Sequence, residues 1–199
     1  MTEAEFFDAM YASADGDDGA VPWQQAISRP LIAEWMEAAQ LAAGTRAMVV
    51  AAGLGDDAAA LARKGVDVTA FDFSPTAVEW AARRHADLDV SWNQADLFEL
   101  PDEWAEAFDL VVEVFTIQST PPARQLEAAD AVRRLVAPGG TLVAVLLIHH
   151  GDDDPTGPPW PLLPTTVDRL LDGFDEIDRR TEVLSETTTC VRVELRRPS

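Results

Sequence analysis

Cysteine is nearly absent from this sequence, since Cys190 is the one cysteine among 199 residues. A single thiol excludes an internal disulfide and any cysteine-rich metal site. Asp152, Asp153 and Asp154 are consecutive acids, and consecutive side chains point in different directions. We therefore expect a solvated acidic loop there and no metal centre.

Basic residues are also scarce: 15 lysines and arginines stand against 35 aspartates and glutamates, which gives a net charge of −20. A surface this negative repels phosphate groups, so we expect neither nucleic acid nor a membrane as a partner. Long apolar runs are missing as well. The longest, residues 142–148, is too short to cross a bilayer, and the N-terminus lacks the features of a secretion signal. These absences predict a cytoplasmic protein.

The most informative stretch of the chain reads as strand, glycine turn, helix and strand. Residues 48–52 form a short apolar run typical of a buried parallel strand. Gly53 and Gly55 interrupt this run, and a helix with acids in its first turn follows. A second strand over residues 66–71 then brings Asp72 to its carboxyl end, where parallel α/β sheets bind ligands.

This unit is suited to a nucleoside-bearing cofactor. Glycines let the backbone approach a ligand closely, and a carboxylate after the second strand can accept both hydroxyls of a ribose. Gly53-x-Gly55-x-x-Ala58 matches a dinucleotide fingerprint, so an NAD(P)-dependent reductase is one interpretation. Short-chain reductases use a Tyr-x-x-x-Lys pair, however. The single tyrosine, Tyr11, and the single lysine, Lys64, lie far apart in the sequence, which excludes that chemistry.

The rest of the chain continues the alternation of strands and helices. Five further strands are predicted, at residues 88–93, 108–115, 141–148, 174–184 and 189–196. The last two are separated by so few residues that they predict an antiparallel pair. We expect an α/β fold, a Rossmann-like three-layer sandwich whose mixed seven-stranded sheet ends in a C-terminal antiparallel hairpin.

In this order and spacing, the motifs resemble the class I S-adenosylmethionine-dependent methyltransferases. The resemblance is carried by the glycine turn with Asp72, by Asp96-Leu97, by the fourth strand at residues 108–112 and by the Pro-Gly-Gly segment within residues 135–142. The family's first motif is acid-x-Gly-x-Gly-x-Gly. Here Val49 stands at the acid and Ala51 at the first glycine. The support that the acid gives to the methionine end of the cofactor is therefore unassigned.

The resemblance implies that S-adenosylmethionine is the cofactor. The residues that it places around the cofactor are Trp23, Ala51, Ala52, Gly53, Gly55, Asp72, Phe73, Asp96, Leu97 and Glu113. Among them, Asp72 would hold the ribose hydroxyls and Phe73 would pack on the adenine. Asp96 would bind the adenine amine, with Leu97 beside the ring. Glu113 would approach the methionine end and replace the missing acid of the first motif.

Shorter motifs resemble the thiopurine methyltransferase-like subgroup, which methylates small thiols, halides or related nucleophiles. These motifs are Pro22-Trp23, Glu113-x-Phe115 and Pro158-Pro159-Trp160. The resemblance implies a small-molecule methyl acceptor with a thiol, halide, oxygen or nitrogen nucleophile. The aromatic residues expected to line its pocket are Tyr11, Trp23, Phe115 and Trp160. His149, at the end of the fifth strand, is the best-placed candidate for a catalytic base, although a thiol or halide needs little proton abstraction.

A non-catalytic cofactor-binding protein on the same fold is a further alternative, because the first motif lacks its acid and its first glycine. With 47% hydrophobic residues, the chain can bury one sizeable core. We expect a single domain over residues 1–199. Its parts would be an N-terminal helical cap over the cofactor site (1–45), a cofactor-binding core (46–148), and a substrate loop with the C-terminal hairpin (149–199).

Overall fold

A computed structural model describes residues 3–14, 17–21, 28–151 and 153–199. These described residues form one sheet of seven strands with helices on both faces. The strands are β1 (Arg46–Val50), β2 (Asp67–Asp72), β3 (Val90–Gln94), β4 (Phe108–Val114), β5 (Val136–His149), β6 (Asp175–Val183) and β7 (Thr188–Arg196). The helices are α1 (Glu3–Ala14), α2 (Ser28–Ala38), α3 (Asp56–Arg63), α4 (Pro75–Arg84), α5 (Gln125–Leu135) and α6 (Pro164–Leu171).

The strand order is β3-β2-β1-β4-β5-β7-β6, and β7 runs antiparallel to both of its neighbours. The other neighbouring pairs are parallel. The predicted α/β fold, with a mixed seven-stranded sheet and a terminal hairpin, is therefore confirmed. Because β1 to β5 are parallel, their carboxyl ends lie together, and the strand order reverses between β1 and β4. Open α/β sheets bind their ligands at such a reversal.

Two apolar cores lie on opposite faces of the sheet, each between the sheet and a layer of helices, so the fold has three layers. Met48 of β1 and Val111 of β4 face the core formed with α5 and α6. Their neighbours Val49 and Val112 face the opposite core, which contains residues of α2 and α3 such as Leu61. Successive residues of a strand point to opposite faces, so strands that are apolar at every position are buried on both sides.

The Pro-Gly-Gly segment at residues 138–140 lies inside a strand, whereas the sequence predicts it as a turn between helix and strand. α5 ends at Leu135 and β5 begins at the next residue, Val136. Phe108 pairs with Val136, and the next pair joins Leu110 to Thr141. The extra residues in β5 therefore form a bulge that contains the turn, and the pairing with β4 resumes at Thr141.

No helix of the described residues is both long enough and apolar enough to cross a membrane.

β6 is an edge strand whose nine residues are all exposed, and six of them are charged. Charged side chains on an edge strand discourage pairing with a second sheet. Towards β7, Nη2 of Arg192 donates to Oδ2 of Asp178 at 2.7 Å. Arg192 is 3% exposed, and its Nε and Nη1 have no acceptor within the described part of the chain. Asp178 is thus the one counter-charge that an otherwise unsatisfied buried guanidinium contacts there.

We expect Asp178→Asn to lower the free energy of unfolding by about 1–3 kcal/mol, because it leaves the Arg192 charge buried without a carboxylate. The half-exposed position of Asp178 keeps the loss below that of a fully buried pair. Urea denaturation measures the change. Glu182→Gln, which removes a charge from an exposed residue of the same strand, is the matched control. An equal loss in the two variants would contradict the role of the ion pair.

Ala51, directly after β1, has a left-handed backbone with a φ of 45°. A side chain in this region costs about 1–2 kcal/mol relative to glycine. The strain falls at the position where the resembled family has its first glycine. The chain therefore keeps the backbone conformation of the motif although it lacks the residue that suits it.

Ala51→Gly is expected to raise the free energy of unfolding by about 0.5–1 kcal/mol, since relief of strain exceeds the entropy that glycine adds to the unfolded chain. Thermal and urea denaturation provide the measurement. Ala42→Gly, at an exposed loop position outside the left-handed region, should be neutral or destabilising. If both variants lose stability, backbone strain at Ala51 does not limit the fold.

Candidate active site

The carboxyl ends of four neighbouring strands bring the predicted site residues to one end of the sheet. Asp72 is the last residue of β2 and pairs with the last residue of β3, two positions before Asp96. Glu113 of β4 pairs with Val50, the last residue of β1, and Gly53 follows in the turn after it. Residues from four separate segments therefore surround one crevice.

The Asp72 carboxylate joins two of the segments that surround this crevice. Its Oδ2 accepts the backbone N–H of Gly53 and its Oδ1 accepts that of Ser74, each at 2.9 Å. The side chain is 8% exposed, and burial raises the pKa of Asp72, while the backbone N–H groups act in the opposite direction. One carboxylate thus fixes the glycine turn after β1 relative to the start of α4, and its remaining lone pairs can accept further donors.

Asp8 of α1 extends this network, and the sequence gives no signal for it. Its Oδ1 accepts the Ser74 hydroxyl at 2.5 Å, and that hydroxyl in turn accepts the Ala77 N–H at the start of α4. The hydroxyl lowers the pKa of Asp8, and the charge of Asp8 contributes to the raised pKa of Asp72. α1 is therefore held next to the crevice by a contact between residues 66 positions apart in the sequence.

Gly55 is required by packing as well as by backbone conformation. Its φ is 82°, and a Cβ atom there would lie 2.4 Å from Cη2 of Trp92 on β3. His85, at the end of α4, donates from Nε2 to the Leu54 carbonyl at 3.1 Å. The glycine turn is consequently held between α4 and β3, and a larger residue at Gly55 would displace it.

Asp96, Leu97 and Phe73 lie beside this turn with different exposures. Asp96 is half-buried, and its Oδ1 accepts the Phe98 N–H at 2.9 Å. Leu97 is buried in the core that faces α5, whereas Phe73 is 41% exposed. The Phe73 ring is therefore an exposed apolar surface beside Asp72.

Glu113 is fully buried at the end of β4, and its Oε1 accepts the N–H groups of Thr116 and Ile117 at 2.6 and 3.1 Å. Burial raises the pKa of Glu113 to about 7. Its Oε2 has no donor among the described residues, nor has Oε1 of the equally buried Gln118. Buried acceptors without donors are costly. An ammonium group, such as that at the methionine end of S-adenosylmethionine, has the donors that these oxygens lack.

Phe115 and Trp160 both lie near the end of β4. Phe115 has a φ of 60°, and its N–H donates to the Val145 carbonyl of β5 at 3.2 Å. The backbone N–H of Trp160 donates to the Gln118 carbonyl at 2.7 Å, and Nε2 of Gln125 donates to the Trp160 carbonyl at 3.1 Å. The loop after β5 is thus tied to the segment after β4, and both aromatic side chains are half-buried.

Tyr11 lies in a different place from these two aromatics. It is 5% exposed and packs in a cluster with Leu54 and Trp80, against α4. Trp23, the fourth aromatic residue predicted for the acceptor pocket, is outside the described residues. The structure therefore separates Tyr11 from Phe115 and Trp160, which lie on the segments after β4 and β5.

His149 is the last residue of β5, where the sequence predicts the first residue of a loop. It is 5% exposed, and its Nε2 donates to the Asp153 carbonyl at 2.8 Å. The backbone N–H of His149 donates to the Leu162 carbonyl. The imidazole is therefore engaged in holding the loop after β5, and Nδ1 is the ring nitrogen left for any other task.

The sequence profile of a family described as "Methyltransferase domain" matches residues 47–140. The matched region begins in β1 and ends in the Pro-Gly-Gly segment. It therefore contains the glycine turn, Asp72, Asp96 and Glu113.

Relatives with stated activities are similar over most of the chain. "Probable thiol methyltransferase 2" of Arabidopsis thaliana is 31% identical over 165 residues, which are 80% of this chain and 71% of the relative. "Thiocyanate methyltransferase 1" of Brassica oleracea is 29% identical, over 78% of this chain and 68% of the relative. "Demethylmenaquinone methyltransferase" of Clavibacter sepedonicus is 37% identical over 51% of this chain and 40% of the relative.

Among solved structures, the N-methyltransferase NodS from Bradyrhizobium japonicum WM9, in complex with S-adenosylhomocysteine, superposes with a TM-score of 0.77. The coverage is 100% of both chains at 17% sequence identity, which is a likeness of fold. These matches disagree with the reductase interpretation and with that of a non-catalytic protein. The chain belongs to the class I S-adenosylmethionine-dependent methyltransferases, enzymes whose cofactor is S-adenosylmethionine.

Proposed function

We propose that the protein methylates a small thiol or a comparable soft anion such as thiocyanate. The observation that carries this proposal is that the described bases near the ends of β4 and β5 are already engaged: His149 bonds to its loop, the His150 ring bonds to the Thr189 hydroxyl at 2.9 Å, and the Glu113 carboxylate accepts two backbone N–H groups. An acceptor that is already ionised at neutral pH needs no base. The similarity to relatives named for thiol and thiocyanate methyl transfer supports the same acceptor class.

In this proposal the cofactor lies along the crevice from β3 to β4. Asp72 holds the ribose hydroxyls, and its contacts with the Gly53 and Ser74 N–H groups keep its orientation fixed. Asp96 receives the adenine amine beside the exposed ring of Phe73. Glu113 takes the ammonium group of the methionine end and so performs the task of the acid that the first motif lacks.

When bound, the cofactor supplies a sulfonium methyl group, which a nucleophile takes by in-line displacement. The protein's contribution is to align the nucleophile and to exclude water. Phe115 and Trp160 offer the apolar surface for this at the end of β4. The acceptor reacts as its anion, either thiocyanate or a thiolate that has lost its proton to water. A new bond forms between the acceptor sulfur and the methyl carbon, and the bond from that carbon to the sulfonium breaks. The products are a methyl thioether, or methyl thiocyanate, and S-adenosylhomocysteine.

We further infer that residues 1–45 act as a cap over the cofactor and that residues 149–199 supply the substrate loop and the C-terminal hairpin. The Asp8 contact with Ser74 supports the first assignment, because it joins α1 to the loop that follows Asp72. The Trp160 contact with the Gln118 carbonyl supports the second.

We expect the kcat/KM for thiocyanate, an anion at neutral pH, to exceed that for a phenol or an aliphatic amine by about 100-fold or more, the contribution that a general base makes to the latter two. Formation of S-adenosylhomocysteine, followed by chromatography at saturating S-adenosylmethionine, gives the rates. The kcat for thiocyanate should not follow a histidine titration.

His149→Gln tests the same point from the protein's side. With its fold verified by circular dichroism, this variant should retain the thiocyanate kcat. Two results would overturn the proposed acceptor class and favour a base-dependent acceptor. One is that the unchanged protein turns over a phenol as fast as thiocyanate or faster. The other is that the folded His149→Gln variant loses thiocyanate turnover.

Glu113→Gln is expected to weaken binding of S-adenosylhomocysteine on the order of ten-fold, because the amide cannot offer a negative charge to the ammonium group. In the unchanged protein, affinity should rise between about pH 6 and 8 as Glu113 ionises, and the variant should lose this rise. Calorimetric titration at several pH values measures both effects.

Two further measurements separate this role from a structural one. Glu99→Gln, which removes a carboxylate from an exposed position after β3, should leave affinity unchanged. Because the folded pKa of Glu113, about 7, is above its usual 4.5, the ligand-free protein should lose stability as pH rises between these values. Glu113→Gln should remove that loss. Suppose that Glu113→Gln removes the pH-dependent loss of stability but leaves the affinity for S-adenosylhomocysteine unchanged. Glu113 would then serve only to bind the backbone N–H groups after β4, with no role in cofactor binding.

A further inference from the structure

A cavity of about 480 Å³ lies between α1 and α4. Its lining residues are Tyr11, Ala12, Asp18, Thr76, Trp80, Arg83 and Arg84. They come from α1, from the short 3-10 turn at residues 18–20, and from α4. None is among the residues assigned above to the cofactor, and Tyr11 alone was predicted for the acceptor pocket. The cavity is large enough for a small organic ligand.

Two aromatic rings form the apolar part of this cavity. Tyr11 and Trp80 are 5% and 9% exposed, so both rings are fixed by packing and present rigid surfaces. Ala12 stands beside them as an exposed small side chain on α1, which leaves the space open. Flat, rigid walls of this kind favour an aromatic ligand.

The two arginines of the lining differ in how far their charge is neutralised. Arg84 lies between two carboxylates: Nη1 pairs with Asp18, and Nη2 lies 3.3 Å from Oδ1 of Asp56. Among the residues that the structure describes, Arg83 has one weak pair, with Nη1 at 3.5 Å from Oε2 of Glu79, and both of these side chains are about 70% exposed. Exposed pairs of this kind contribute little. Arg83 therefore carries the positive charge that a ligand can use.

This charge stands out because the whole chain carries a net charge of −20. Asp18, Asp56 and Glu79 offset most of the charge of the two arginines, so an anion is held here only through direct contact with the Arg83 guanidinium. The two helices that form the cavity are also joined to each other. Asp8 accepts the Ser74 hydroxyl at 2.5 Å and the Thr76 N–H at 3.4 Å, and so joins α1 to the first turn of α4.

We propose that the cavity between α1 and α4 is a second ligand site, which binds a small aromatic oxyanion. The aromatic body lies against Tyr11 and Trp80, and the anionic group pairs with Arg83. The planar guanidinium suits a carboxylate, which it can bind through two parallel hydrogen bonds. The site does not depend on the acceptor class proposed above.

The test uses the full chain saturated with S-adenosylhomocysteine, so that the cofactor crevice is closed to competing ligands. 2-Naphthoate is titrated calorimetrically, and the isosteric neutral 2-naphthamide serves as its comparison. We expect naphthoate to bind and the amide to bind on the order of ten-fold more weakly, since it lacks the charge that Arg83 recognises.

Three variants test whether the heat of naphthoate binding arises from the cavity. Arg83→Gln should weaken naphthoate on the order of ten-fold, whereas Arg63→Gln, which removes the same charge from an exposed position on α3, should not. Ala12→Trp fills the cavity from an exposed helix position where a large side chain is tolerated, and should abolish binding.

Three results would overturn the proposal: no binding of naphthoate, binding that survives both Arg83→Gln and Ala12→Trp, or naphthoate binding that is detected only without S-adenosylhomocysteine. The last would place the ligand in the cofactor crevice.

Discussion

The arrangement of the active site depends on one buried carboxylate. Asp72 accepts the N–H groups of Gly53 and Ser74, and so joins the turn after β1 to the start of α4. Burial opposes the ionisation of this side chain, and the two aligned N–H dipoles favour it. The Ser74 hydroxyl then binds Asp8, which brings α1 into the same network. Without this carboxylate, the turn after β1 and the start of α4 would lose their common partner.

The methionine end of the crevice shows how a departure from a family motif is accommodated. Val49, at the position of the usual acid, is buried in the core that faces α2 and α3, so a carboxylate there would lie in apolar surroundings. The neighbouring strand carries a buried carboxylate instead, at Glu113, with one oxygen still lacking a donor among the described residues. Under the proposed function, the negative charge has moved by one strand while the backbone of the first motif, including the left-handed Ala51, is retained.

The sequence predicted the sheet and the strand ends well because both depend on local pattern. Apolar runs of five to seven residues identify strands buried on both faces, and an acid directly after such a run must lie at the carboxyl end of the sheet. Asp72 was found this way, whereas Asp96 was found through the family resemblance. Asp8 was not, since its partner Ser74 is 66 residues away and an exposed-looking acid on an N-terminal helix carries no local signal. The grouping of Tyr11 with α4 was missed for the same reason, because residue type alone does not say which element an aromatic ring packs against.

By itself, the sequence determined the fold class, the parallel order of alternating strands and helices, the family resemblance, and the position of the acids at strand ends. These follow from periodicity, turn residues and spacing, which act over a few residues. The tertiary structure decided which groups are satisfied and which are left over. It engaged His149 with its loop, raised the pKa of Glu113 by burying it, and opened a cavity beside Arg83. Such properties depend on desolvation and on contacts between distant segments, and neither exists until the chain has folded.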